Sequence, residues 1–151
     1  MNWLMKFLHI LAVVVLLGNL LMAPFWRKRL AAVGGAQAQA AANRSVRLAD
    51  RLFTFPGWLV VLITGIVLAF QRGWKGGWLH LSLLLFVGWI VLWHMLVLRA
   101  RQAMIAEATT AVDSGQAPAE LAQHEHQWQL WTYVSAALVG LILLLMATQP
   151  F

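Results

Sequence analysis

The sequence contains no cysteine. Disulfides, thiolate metal sites and a cysteine nucleophile are excluded together, and the chain carries no cysteine signal of its redox compartment. Charge is almost as scarce, at 11% of the residues against roughly 25% in soluble domains. Only five residues are acidic, Asp50, Glu107, Asp113, Glu120 and Glu125, and all of them fall between apolar runs. A carboxylate pair for acid–base work inside those runs is therefore excluded. There is no Gly-rich phosphate loop, no Ser-His-Asp order and no zinc-type spacing of ligands. The formal net charge of +6 does not point to nucleic acid, because the basic residues punctuate the ends of apolar runs and form no basic face.

What the sequence does have is hydrocarbon. Hydrophobic residues make up 62% of the chain, and nine are Trp, the side chain whose apolar ring and single N–H suit the headgroup layer of a bilayer. Four apolar runs, at about 3–26, 52–70, 78–98 and 128–148, are each long enough for the roughly 20 residues that a spanning helix needs. The expected fold is all-α: a four-transmembrane-helix bundle with helical cytoplasmic extensions, forming a single integral membrane domain over 1–151. The first run is longer than a signal-peptide core and is followed by Arg27-Lys28-Arg29, which predicts a retained helix. Lys and Arg number eight in the connections after the first and third runs and three on the opposite side. By the positive-inside rule the expected location is a bacterial inner (cytoplasmic) membrane, with both termini and the short turn at 73–77 periplasmic.

The connections read as helical. Gly34-Gly35 breaks the chain after the first span, and the Ala, Gln, Arg and Leu of 36–51 favour a helix with Arg44, Arg47 and Arg51 on one side and Asp50 beside Arg47. Residues 99–112 extend the third span. Asp113-Ser114-Gly115 predicts a turn, and Pro118 suits the start of the next helix.

At about 100° per residue, Met5, Lys6, His9, Ala12, Leu16, Asn19 and Ala23 share one side of the first span. Every polar residue of the span lies there, and polar groups in hydrocarbon are expensive unless they face protein or a cofactor. On the second span Thr54, Gly57, Val61, Thr64 and Gly65 form a small-residue stripe that predicts close helix packing. His80 and His94, on the third span, are fourteen residues apart, about 40° short of four turns and roughly 21 Å along the axis. Cytochromes of the b type use that separation to carry two haems across a membrane. His9 and His80 both fall near the outer side, with levels differing by about 6 Å, so a bis-imidazole haem site between spans one and three is geometrically open. His94 falls near the inner leaflet. Lys6, one turn outward from His9, either snorkels to the headgroups or sits over a haem propionate. The plain alternative is that His9 bonds a neighbour within the bundle and His80 sits in a helix interface. His124 and His126 are about 200° apart on a helix and read as a solvated pair.

The opening WLMKFLHILAVV and the LFTFPGWLVVLITGIVLA of the second span resemble a group of uncharacterised bacterial predicted membrane proteins, a group similar to the CopD and HemJ membrane families. The resemblance covers most of the chain, and its most specific part is the Lys-x-x-His of Lys6 and His9. HemJ-like proteins are haem-containing oxidases and CopD-like ones are associated with copper, so the resemblance implies a redox or metal theme and makes His9 the first residue to test.

The expected function is a membrane protein that binds haem b through His9, with His80 or else His94 as the second ligand, and that passes electrons within the membrane; Lys6 completes the cofactor-binding set. A different class of reading is a non-catalytic subunit, a homo-oligomer or an assembly partner of a larger membrane complex. Copper handling is a third, although the six Met are scattered and form no Met/His cluster.

Overall fold

The computed structural model describes residues 3–114 and 121–149, and these are helical apart from the turns at 32–34 and 72–76 and the final residue. The elements are α1 (Trp3–Ala31), α2 (Gly35–Ala49), α3 (Phe55–Gln71), α4 (Gly77–Leu92), α5 (Leu98–Ser114) and α6 (Leu121–Thr148). Single π-helical turns, Asp50–Thr54 and Trp93–Val97, join α2 to α3 and α4 to α5 without a break. Four helices are thus long and apolar enough to cross a membrane, and the second and third run well past their apolar segments into the expected extensions. The turn expected at Asp113-Ser114-Gly115 begins later than the sequence suggests, since α5 runs through Ser114; Gly115 and Pro118 lie outside the described residues.

The first π turn has a cause in the sequence. Pro56 has no N–H to give the carbonyl four residues back, and its ring would collide with that group. A wider turn, in which the Phe55 N–H donates to the Asp50 carbonyl, absorbs the conflict. Asp50 and Thr54, at the two ends of this turn, are both buried. The second π turn contains neither Pro nor Gly, and nothing local explains it. Pro24 sits inside α1 and is buried against neighbouring helices, the setting in which a membrane helix tolerates it.

α1 packs on α2, α3 and α6, α4 and α5 pack on α6, and α2 packs on α5. No comparable contact joins α1 to α4 among the described residues, so spans one and three stand diagonally. The core runs through Leu16, Leu20, Phe86, Trp89, Trp93 and Trp128. Lipid tails are as apolar as these side chains, so the association depends on close packing. Gly57 shows how close: a Cβ there would lie 3.5 Å from the Cβ of Leu16. In the turn between α3 and α4, Gly76 has a φ of 104° and would place a Cβ 2.5 Å from Trp78 Nε1, so the 72–76 turn requires glycine at that position.

The end of the bundle opposite the 72–76 turn is held by buried charge. Asp50, expected beside Arg47, instead pairs with Arg101 of α5, while Arg47 is exposed. Thr54 Oγ1 donates to Asp50 Oδ1 at 2.8 Å, and Asn19 Nδ2 donates to Thr54 Oγ1 at 2.6 Å. About two turns further along α1, fully buried Arg27 donates through Nε to Asn43 Oδ1 at 3.1 Å and pairs with Glu125. These two networks tie α1, α2, α5 and α6 together.

Candidate functional site

His9 lies on the buried face of α1 and is 9% exposed. Its Nδ1 is 2.8 Å from Thr64 Oγ1 on α3, and the Thr64 hydroxyl donates in turn to the Val60 carbonyl one turn back, at 2.5 Å. With the hydroxyl hydrogen committed there, Nδ1 is the donor to Thr64, and Nε2 keeps its lone pair for another partner. Gly65 completes the seat, since a Cβ at that position would come within 3.2 Å of the His9 Cε1. The small-residue stripe of the second span therefore does more than pack, because Thr64 and Gly65 fix the ring. Thr64→Val should remove this hydrogen bond and lower stability by about 0.5 to 1.5 kcal/mol in thermal unfolding, with Thr64→Ser restoring most of it. An unchanged transition in Thr64→Val would contradict this seat.

Beside His9 is a cavity of about 550 Å³ between α1, α3, α4 and α6. Its walls are hydrocarbon and aromatic, with Leu17, Val61, Leu83, Phe86, Val139 and Ile142 contributing. At the end next to the 72–76 turn stand Lys6 and Arg72, with Trp74, Trp78 and Gln149. Arg72 also stacks on Trp78, its guanidinium carbon 5.7 Å from the ring centroid. The volume falls in the range of small-molecule and cofactor pockets. One imidazole, two cations and apolar walls suit an amphipathic ligand with an electron-poor or metal centre and an anionic edge.

Lys6, one turn before His9 on the same face of α1, is half-buried at this cavity. His80 is not brought to His9: it is exposed, its Nδ1 lies 3.3 Å from the Gly76 carbonyl, and its ring lies 5.7 Å from that of Trp74. His94 is also exposed, with Nδ1 2.9 Å from the Ile90 carbonyl and its ring against Trp58 and Trp93. The reason is competition for the inner face of α4. Trp78, Leu79, Ser82, Phe86 and Trp89 occupy that face and leave both histidines to the other side. His124 faces Glu107, its Nδ1 3.4 Å from Oε2, and His126 is exposed. Among the described residues no three His, Asp or Glu side chains are grouped to hold a metal ion.

Arg72 and the buried charge networks of Asp50 and Arg27 were the features least visible in the sequence. A signal for Arg27 existed: it lies eighteen residues beyond His9, five whole turns, and so on the same face. Ending the first span at Trp26 hides it. The His9 seat and the Asn19 network are separated by about 15 Å of helix in which Ala12, Val13 and Leu16 are buried, so they are two separate polar sites.

Comparison with curated proteins and with solved structures finds no match to the chain. The family of predicted integral membrane proteins called DUF2269 matches residues 3–150, nearly the whole length, and its description agrees with the four long apolar helices. The chain belongs to this family and is an integral membrane protein.

Proposed function

We propose that the chain binds haem b in the His9 cavity and takes part in electron transfer within the membrane. One observation carries the reading: His9, seated by Thr64, is the imidazole that lines an apolar cavity with Lys6 and Arg72 at its outer end. The residues fit the group. His9 would supply an axial nitrogen through Nε2, Lys6 and Arg72 would pair with the propionates, and the hydrocarbon walls would exclude water. The bound iron supplies a one-electron change of oxidation state. The walls and the two cations set the polarity in which that change occurs, and burial and nearby charge are levers on its potential. Since His80 does not line the cavity, the geometry favours one imidazole ligand over the bis-imidazole site that spacing alone allows. Haem content of the detergent-purified chain tests the reading: stoichiometric haem is expected in the wild type, and its absence after expression with ample haem supply would refute it.

The orientation belongs to the same proposal. The 72–76 turn, Lys6 and the end of α6 lie at the cavity end, and the basic connections lie at the other. The basic excess puts the cavity mouth on the periplasmic side of a bacterial inner membrane. Reporter fusions at the C-terminus and within the Gly73–Gly77 turn should register as periplasmic, and fusions near Ala38 and Gly115 as cytoplasmic; the inverse pattern would reverse the assignment.

A further inference from the structure

The cavity beside His9 is walled unevenly. Below its outer end, the lining residues that α3 and α4 contribute, among them Val61, Leu79 and Phe86, are buried or half-buried. The exposed lining residues at that depth belong to α1 and α6: Ile10 and Val14, each 61% exposed, and Leu143, 42% exposed. All three side chains are aliphatic. Ile10 and Val14 lie one and five residues past His9, inside an apolar run, so this side of the cavity faces hydrocarbon rather than water. The cations, in contrast, stand at the outer end, at headgroup level.

We infer that the occupant of the cavity enters from the bilayer, sideways past Ile10, Val14 and Leu143, and is a lipid-dissolved amphiphile whose anionic end stops at Lys6 and Arg72. The inference rests on the cavity being a ligand site and adds the route and the class of ligand. Carrying a charge through the hydrocarbon is expensive, but this route does not require it. A membrane-dissolved amphiphile already holds its charged end among the headgroups and its apolar body below them. A sideways step through an aliphatic opening brings the body against His9 while the charge moves at constant depth, from lipid headgroups to the two cations.

The test uses the full-length apo-protein in phosphatidylcholine vesicles, with haem b delivered from protein-free vesicles of the same lipid and loading followed by the Soret band. The double variant Ile10→Trp/Val14→Trp narrows the opening from α1, and Leu143→Trp narrows it independently from α6. All three positions are exposed, so the larger rings need not displace core packing. Leu84→Trp, at a 69% exposed position of α4 that does not line the cavity, is the comparison. Loading should slow on the order of tenfold in both side-opening variants with the same final haem content, and should be unchanged in Leu84→Trp. Equal rates in all four proteins, or equal slowing in Leu84→Trp, would overturn the inference. If the wild type takes up no haem, the haem reading fails by itself, and a fluorescent long-chain carboxylate replaces haem as the probe. The same order of rates is then required, and binding of neither probe overturns the inference too.

Discussion

Arg101→Met is expected to lower the thermal stability of the detergent-solubilised protein by about 3 to 5 kcal/mol, because it leaves Asp50 as a buried and uncompensated carboxylate. Asp50 is 8% exposed, and Arg101 supplies its countercharge from another helix. The remaining partners, Thr54 and Asn19, are neutral donors and cannot replace that charge. Removing both charges should be far milder. In Asp50→Asn/Arg101→Met the amide oxygen still accepts from Thr54, the methionine keeps most of the arginine's apolar stem, and no ion is stranded. The double variant should therefore regain most of the loss, and the thermal transitions of the wild type, both single variants and the double variant give the coupling directly. Additive losses would show that the pair is too well solvated to act as a clamp. The same logic applies to Arg27, whose guanidinium is fully buried, while its partner Glu125 keeps 26% exposure and can be relieved by solvent.

How much of this was legible in the sequence differs from element to element. The four spans follow from apolar length alone, since a segment crossing hydrocarbon must satisfy its backbone within itself. The polar face of α1 was legible for the same reason: Lys6, His9 and Asn19 had to meet protein, and all three have protein or cavity neighbours. Their partners were not legible. Periodicity places a residue on a face, but it does not say which helix stands opposite. Thr64 looked like one more small residue in a packing stripe until α3 brought it under His9. The shared face of His80 and His94 was a correct statement about helix period, yet it said nothing of whether that face turns inward. The bulky Trp78, Phe86 and Trp89 decided the orientation of α4. The ion-pair partner of Asp50 was not legible either, because Arg101 stands on another helix, 51 residues further along the chain.

A histidine series should separate the three membrane imidazoles sharply. His9→Ala removes the cavity's imidazole and should abolish haem retention through purification, while His80→Ala and His94→Ala should retain it. Both of the latter side chains are exposed and bond within their own helix. His9→Ala should also lower stability more than His124→Ala or His126→Ala. Removing His9 leaves a void beside Gly65 and takes a hydrogen bond from Thr64, whereas His126 faces solvent. Lys6→Gln and Arg72→Gln should weaken haem retention without abolishing it, because each removes one of two cations and leaves the axial nitrogen in place. Loss of haem in His80→Ala with retention in His9→Ala would move the site out of this cavity.

The most direct measurement is the optical spectrum of the purified wild type in its oxidised and reduced forms. A single ligand from His9 predicts a Soret band with the signature of five-coordinate, high-spin haem, which binds an added sixth ligand such as imidazole or carbon monoxide. A six-coordinate, low-spin spectrum abolished equally by His9→Ala and His80→Ala would contradict the single-imidazole cavity and require spans one and three to meet. A protein with no Soret band after expression with ample haem supply would contradict the haem assignment itself.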